Sequence, residues 1–206
     1  MPPKAKYTRE QIIDAALEIT REKGIEAVTA RDLGARLGVS ARPIFTAFEN
    51  MGEVHAAVRA KAHSIYEGYL SDYKEYNPPF KRHGMQTIAF AQNEPKLFSL
   101  LFMQPDTGKQ NFKQALTEIM GNVDDVLNLL EDNFKLNRAQ AERLFDHMWI
   151  HTYGISSLCA LGVCVFSESE VSNILSEAFI GIITAIRSDD LDQYLKMAVL
   201  KKKEQD

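Results

Sequence analysis

Cysteine is scarce in this chain of 206 residues, which has only two, Cys159 and Cys164. Both lie in one apolar stretch, so the sequence excludes a disulfide framework and favours a reducing, cytoplasmic setting. Proline and glycine are also sparse, at 7 and 11 residues, and no low-complexity or fibrous segment is present. The N-terminal segment leads into an amphipathic stretch rather than an apolar one, and we therefore expect no secretory signal.

Charged residues are missing between Asp146 and Glu168, a run that is long enough in principle to span a bilayer. The run nevertheless contains two histidines, a threonine and several serines, which are costly in contact with lipid. We expect a soluble helix that protein covers on most sides, as at a subunit interface, and no membrane partner.

Neither sign of charge dominates the chain, which has 24 basic and 28 acidic residues and a net charge of −4. The balance changes along the sequence: residues 1–63 contain 10 basic and 8 acidic side chains, whereas residues 64–206 contain 14 and 20. A mildly basic N-terminal part on an acidic body permits contact with nucleic acid at one end and disfavours it elsewhere.

Apolar residues recur at helical spacing throughout, and the sequence predicts an all-α fold with about nine or ten helices. Thr8 and Gln11 form a capping-box signature for the first helix, which Gly24 ends. A short helix follows between Thr29 and Gly38, and a third begins at a Ser40 cap. The remaining helices are predicted at 51–76, 81–93, 95–103, 109–134, 138–163, 168–187 and 189–202.

Residues 29–48, TARDLGARLGVSARPIFTAF, have the pattern of a helix-turn-helix motif whose second helix is sized for the major groove of DNA. Gly38 supplies the permissive backbone for the turn, and Val39 can fill the angle between the helices. Ser40 is expected to cap the second helix, and its hydroxyl together with the helix N-terminal amides would suit a phosphate.

These residues resemble the DNA-binding domain of the TetR/AcrR family of bacterial repressors. The matching segments are Ile12-Ile13-Asp14-Ala15-Ala16, Gly24, Thr29, Arg31-Asp32-Leu33, Leu37-Gly38-Val39-Ser40, Ile44-Phe45 and Phe48. Fainter similarities are Asn93-Glu94-Pro95-Lys96-Leu97-Phe98 and Trp149 followed by Tyr153-Gly154. The resemblance implies a homodimer joined by two C-terminal helices, with an effector pocket in the body of each subunit.

The resemblance also suggests a division of the chain. Residues 1–50 form the predicted helix-turn-helix DNA-binding domain, which extends to about residue 66 in the family. Residues 51–206 form the predicted effector-binding and dimerisation domain, connected through helix 51–76. Ile12, Leu17, Leu33, Ile44 and Phe48 are expected to form the core of the small domain.

The predicted DNA contacts lie on the motif and on the N-terminal segment. They are Lys4, Lys6, Thr29, Ala30, Arg31, Ser40, Ala41, Arg42, Pro43, Phe45, Thr46 and Ala47. Arg42 is the expected base reader, because its guanidinium can bond guanine O6 and N7 together. Phe45, Ala47 and Met51 replace residues that often contact phosphate in the family, which predicts modest affinity.

Aromatic and sulfur-bearing residues of the body are candidates for an apolar effector pocket with a few polar groups. The predicted set is Tyr66, Tyr69, Phe90, Phe98, Phe102, Met103, Phe112, Met120, His147, Trp149, His151 and Tyr153. Such residues at helical spacing can equally be ordinary core. The predicted dimer interface comprises Leu158, Cys159, Leu161, Val165, Ile174, Phe179, Ile182, Ile183 and Ile186.

His147 and His151 are four residues apart, so one helix face could offer both imidazoles to a metal ion. The spacing is common and no third ligand is evident, so we expect neither a metal site nor a cofactor. No phosphate-binding glycine loop, nucleophile elbow or zinc-protease helix is present, and we expect no enzymatic activity.

The sequence therefore predicts a cytoplasmic, ligand-responsive transcriptional regulator, most simply a repressor that releases operator DNA when a small apolar or aromatic molecule binds. Two alternatives stay open at this point. One is a constitutive DNA-binding dimer with a solid core and no effector, and the other is an all-α enzyme.

Overall fold

The computed structural model describes residues 7–104, 111–114, 116 and 123–188. Nine α-helices have both ends within those residues, and the described residues contain no strand, which confirms the all-α prediction. The helices are α1 (Arg9–Lys23), α2 (Ala30–Leu37), α3 (Ile44–Ala47), α4 (Met51–Leu70), α5 (Pro79–Asn93), α6 (Pro95–Phe102), α7 (Asp124–Phe134), α8 (Arg138–Ala160) and α9 (Glu168–Arg187). Lys4, Lys6, Met120 and the predicted helix 189–202 lie outside the described residues.

The first helix begins as the sequence predicts. The Thr8 hydroxyl accepts from the Gln11 amide at 3.2 Å, and the Gln11 side chain accepts from the Thr8 amide at 2.9 Å. This capping box satisfies two backbone groups that a helix N-terminus otherwise leaves unpaired. The helix ends where the Gly24 amide bonds the Thr20 carbonyl.

The predicted core of the N-terminal unit is confirmed, since Ile12, Leu17, Leu33, Ile44 and Phe48 are all at most 4% exposed. Burying each such side chain contributes on the order of 1.5–3 kcal/mol. The same apolar cluster continues through Val54, Val58 and Ala62 of α4 into α6. A single core therefore extends across residue 50, where the predicted DNA-binding domain ends.

Two predicted helix ends were wrong. Helix α4 ends at Leu70 and is followed by a single 3₁₀ turn at Tyr73–Glu75, so the connector does not reach residue 76. Helix α8 ends at Ala160 rather than 163, because Gly162 adopts a left-handed φ of 69°. The amides of Gly162 and Val163 bond the Cys159 and Leu158 carbonyls, which is the Schellman pattern of a helix end.

The predicted helix 109–134 is not continuous. Val123 is non-helical, with φ −102° and ψ 6°, and α7 starts at Asp124. Asp124 and Asp125 occupy the first turn, where carboxylates stabilise the positive end of the helix dipole. Helix α5 begins at Pro79, two residues before the predicted start, because a proline without an amide hydrogen is tolerated at the first helical position.

Helix α5 lies at the centre of the body and packs against α4, α6, α7, α8 and α9. Gly84 permits this approach: a Cβ atom there would lie 3.2 Å from the Leu175 side chain and 3.3 Å from the Thr152 hydroxyl. The body has its own apolar cluster, built around Ile88, Leu130, Leu144 and Leu175.

Candidate nucleic-acid interface and ligand cavity

The turn between α2 and α3 depends on two glycines. Gly38 has φ 65° and ψ 35°, a left-handed conformation that costs glycine nothing. Gly34 allows close approach of the next segment, since a Cβ atom there would lie 2.9 Å from the Val39 carbonyl oxygen. The Val39 amide in turn bonds the Gly34 carbonyl at 2.9 Å. Sequence reasoning missed Gly34, although an internal glycine in a helix is a signal of close packing.

Helix α3 differs from the prediction, because it begins at Ile44 and its N-cap is Pro43 rather than Ser40. A Ser40 cap would place Pro43 at the third helical position, where the backbone amide normally donates to the cap hydroxyl. Proline has no such amide. Residues 41–43 instead form a turn, in which the Ile44 amide bonds the Ala41 carbonyl at 3.1 Å.

The predicted DNA contacts in the described part of the chain lie within the helix-turn-helix, residues 29–47, called the tip below, and all of them are at least partly exposed. Thr29, Arg31, Ser40, Arg42, Phe45 and Thr46 are exposed, and Ala30, Ala41, Pro43 and Ala47 are half-buried. Thr29 also caps α2, accepting from the Asp32 amide at 3.1 Å. Arg9 of α1 contacts the end of α3: it donates to the Ala47 carbonyl at 2.9 Å, and its guanidinium lies 4.0 Å from the centre of the Phe48 ring.

Positive charge at this tip is not neutralised within the described residues, because neither Arg31 nor Arg42 forms an ion pair there. The neighbouring Arg36 is different, since it bonds Glu22 at 2.5 Å. Two unpaired guanidinium groups beside a helix-turn-helix are suited to phosphate oxygens and base edges.

The body contains a cavity of about 250 Å³. It is lined by Tyr66, Pro78, Phe80, Lys81, His83, Gly84, Thr87, Phe98, Phe102, Phe134, Phe145, Met148, Trp149, Thr152, Tyr153, Leu175, Ser176, Phe179 and Ile180. Five residues of the predicted effector set are among them: Tyr66, Phe98, Phe102, Trp149 and Tyr153. The Trp149 and Tyr153 rings stack with centroids 4.9 Å apart.

The other described members of that set lie outside this cavity. Phe90 is fully buried between the rings of Tyr66 and Tyr69, and Met103 packs against the N-terminal core. Tyr69 lines a separate cavity of about 310 Å³ with Arg82 and Gln86. Phe112 packs against Trp149 in a T-shaped arrangement, with 5.8 Å between the ring centroids. His147 and His151 are exposed, because their face of α8 points away from the core.

Sequence reasoning missed most of the wall that α5 and α9 contribute. On α5 the lining residues Phe80, Gly84 and Thr87 recur at helical spacing, a signal that was available in the sequence. Between them lies His83, and burial lowers the pKa of its imidazole to about 4. The imidazole is therefore neutral at physiological pH.

Two hydroxyls at the cavity wall are already bonded to each other. The Tyr66 and Thr87 oxygens lie 3.1 Å apart, and Thr87 donates to the His83 carbonyl at 3.0 Å. Burial raises the pKa of Tyr66 to about 12, so the phenol keeps its proton. The Tyr153 hydroxyl donates to the Phe102 carbonyl at 3.0 Å and joins α8 to α6.

Helix α6 connects the cavity to the DNA-binding unit. Its residues Phe98 and Phe102 line the cavity, while Arg59 of α4 donates to the Leu100 and Leu101 carbonyls at 2.8 and 3.2 Å. Glu94, at the junction of α5 and α6, accepts two bonds from Arg21 of α1. Helix α6 and the Glu94 residue before it therefore contact both α1 and α4.

The predicted dimer residues divide into three groups. Leu158, Leu161 and Val165 are exposed apolar side chains at and beyond the end of α8. Ile174, Phe179 and Ile182 are half-buried. Cys159, Ile183 and Ile186 are at most 9% exposed and belong to the apolar cluster of the body, so they pack inside their own subunit.

Helix α9 is long and apolar enough by composition to cross a membrane, yet this single weakly apolar helix is not convincing as a span. Within the described residues no three histidine, cysteine, aspartate or glutamate side chains form a group that could hold a metal ion. The His151 Nδ1 atom instead lies 2.9 Å from the His147 carbonyl oxygen.

The short bihelical tip on an all-α body defines a helix-turn-helix DNA-binding transcriptional regulator. Residues 12–58 match the family model described as "Bacterial regulatory proteins, tetR family". This match over the N-terminal unit supports a DNA-binding transcriptional regulator of the TetR family. No curated protein matches the chain.

Proposed function

We propose that the protein is a cytoplasmic, ligand-responsive repressor, which binds a pseudo-palindromic operator as a homodimer and releases it when an apolar compound enters the body cavity. One observation carries the proposal: α6 lines the cavity, accepts bonds from Arg59 of α4, and is preceded by Glu94, which bonds Arg21 of α1. A constitutive DNA-binding dimer would need neither the cavity nor this connection.

The mechanism is a population shift. A ligand that contacts Phe98 and Phe102 stabilises positions of α6 in which the cavity is wide enough to hold it. Because Arg59 of α4 bonds to α6, a shift of α6 also shifts α4. Because α4 carries the helix-turn-helix, the spacing of two recognition tips in a dimer changes. Those tips must lie ~34–36 Å apart to enter successive major grooves. The coupling is reciprocal, so operator DNA weakens effector binding by the same factor.

Dimerisation is supported by the exposed apolar side chains along α8 and α9. Ile150, Leu158, Leu161 and Ile180 are all at least 40% exposed. Contiguous exposed apolar surface on a soluble protein commonly marks an interface with another protein. A second copy related by two-fold symmetry would bury the same face on both subunits.

The test begins by sequencing the DNA that the full chain retains from random duplexes. We expect an inverted repeat, and binding that weakens steeply as salt rises, because phosphate contacts release counterions. Retained DNA without symmetry, or a flat salt response, would contradict the proposed operator complex.

The ligand response is tested in two steps. A screen first finds apolar compounds that raise the melting temperature of the protein. A gel shift then asks whether those compounds release the protein from the operator. Stabilisation by RT ln(1 + [L]/Kd) identifies binders. The Arg59→Leu variant should bind the same compounds but release DNA poorly, whereas Arg143→Leu at an exposed position should behave like the native protein. Binders that never release DNA would favour the constitutive dimer.

A further inference from the structure

We propose that the body cavity takes an apolar compound with one carboxylate, for which Lys81 is the counter-ion. The inference deepens the proposed function, since it rests on this cavity being the effector site. It names the chemical class of effector, which the sequence left as apolar or aromatic.

The charge of the wall is the first reason. Among the described lining residues Lys81 is the only charged side chain, and none of these residues is an aspartate or a glutamate. Lys81 also forms no hydrogen bond or ion pair with the rest of the described chain. By contrast, Lys61 bonds Glu10 at 2.5 Å and Lys74 bonds Asp125 at 3.0 Å. Lys81 is a half-buried residue, and an ammonium without a counter-ion at a cavity wall favours an anionic ligand and disfavours a cationic one.

The groups near Lys81 also favour an anionic ligand. Lys81 lies in the first turn of α5, where no acidic residue and no side-chain cap offset the positive end of the helix dipole. His83 adds a neutral imidazole, which can donate one hydrogen bond without bringing a second charge. Thr152 and Ser176 also line the cavity and add polar residues to its wall.

The rest of the cavity wall favours a ligand that is apolar apart from its carboxylate. The aromatic lining residues are Tyr66, Phe80, Phe98, Phe102, Phe134, Phe145, Trp149, Tyr153 and Phe179. Such a wall cannot replace the hydration shell of a small inorganic anion, but it gains free energy from burying rings or alkyl chains. One carboxylate on an apolar body matches both parts of the wall.

The experiment compares two matched sets of probes by calorimetry on the full chain: 2-naphthoate, 2-naphthamide and 2-naphthylmethylamine, and decanoate, decanol and decylamine. We expect the acid of at least one set to bind about tenfold or more tighter than its neutral analogue, with the amine weakest. The Lys81→Met variant should lose this preference and Lys81→Arg should keep it. Lys23→Met, at an exposed lysine outside the cavity, should leave it unchanged.

Neutral or cationic probes that bind as tightly as the acids, or a preference that survives in Lys81→Met, would overturn the carboxylate assignment. Failure of all six probes to bind would overturn it too. Binding of a neutral probe that Trp149→Ala weakens would still support an effector cavity. An acid that binds through Lys81 without releasing operator DNA would support the assignment and overturn the ligand response, so the two failures are distinguishable.

Discussion

Arg21 of α1 and Glu94, between α5 and α6, form a two-bonded ion pair across the boundary between the DNA-binding unit and the body. The Arg21 Nε and Nη2 atoms lie 3.0 and 2.7 Å from the two Glu94 carboxylate oxygens. Glu94 raises the pKa of the Arg21 guanidinium, which stays charged at any accessible pH. Such planar two-bonded pairs fix orientation as well as contributing free energy.

The Glu94→Gln variant should lower the free energy of unfolding by about 1–3 kcal/mol, because it leaves a partly covered guanidinium without its charged partner. Urea unfolding followed by circular dichroism measures the change. Glu18→Gln is the matched control, since Glu18 bonds the same Arg21 at 2.8 Å from the exposed surface and should contribute under about 1 kcal/mol. Equal effects of the two variants would show that the pair with Glu94 is an ordinary surface contact.

The Arg42→Ala variant should bind the operator more weakly and lose preference at one base pair, by about 1–3 kcal/mol of discrimination. A gel-shift series over single-base operator variants measures both quantities. Arg36→Ala serves as control, because Arg36 is paired with Glu22 and should affect affinity less. If the operator preference of Arg42→Ala matched that of the native protein, its role as base reader would be refuted.

The Gly34→Ala variant should destabilise the protein by about 1–3 kcal/mol and weaken DNA binding, since the new methyl group meets the Val39 carbonyl oxygen and displaces the turn. Gly68→Ala is the control in an exposed part of α4, where a Cβ atom meets nothing within 4 Å. That change should stabilise the helix by about 1 kcal/mol. Undiminished operator binding by Gly34→Ala would contradict the close approach described for the turn.

The Leu161→Glu variant should dissociate the proposed dimer, because a charge would be buried at an apolar interface. Leu161 is 64% exposed in one subunit, so the substitution should leave the folded subunit intact. Analytical ultracentrifugation measures the oligomeric state. Ala139→Glu places the same charge at the exposed start of α8 and should leave the dimer intact. A Leu161→Glu protein that still sedimented as a dimer would place the interface elsewhere.

Stability should fall between pH 6.5 and about 4 because of His83. Its pKa is lowered by burial from 6.5 to about 4, so the unfolded state binds more protons than the folded state throughout that interval. The free energy of unfolding should lose about 3 kcal/mol relative to His83→Asn as the pH falls through this range. Exposed His147→Asn is the control. Parallel pH profiles for the native protein and His83→Asn would show that the imidazole is solvated.

The N-terminal unit was predictable because its signals are local. Thr8 and Gln11 cap α1 within one turn, and the spacing of Ile12, Leu33, Ile44 and Phe48 defines a core from sequence alone. The Ser40 cap was predicted wrongly for a reason that is also local, since Pro43 cannot donate the amide that such a cap needs. Gly34 was missed because it allows two backbone segments to come close together, and the spacing of apolar residues carries no information about such contacts.

The body was less predictable, because an aromatic residue at helical spacing can be core, cavity wall or surface. Phe90 and Phe98 have the same pattern in the sequence, yet only Phe98 lines the cavity. The sequence pattern likewise does not show that Ile183 is buried while Ile180, three residues away on α9, is exposed.

Local sequence patterns were enough to establish that the chain is helical, that a helix-turn-helix lies near its start, and which apolar residues form the core of that unit. Those properties depend on contacts between residues close in the chain. Three features became visible only once the helices were packed together: which side chains surround the cavity, that Lys81 is the lone charge on its wall among the described residues, and that Glu94 bonds Arg21. Each of these depends on how α5 packs among its neighbouring helices, and a helix of given sequence can be rotated or shifted without changing its own pattern.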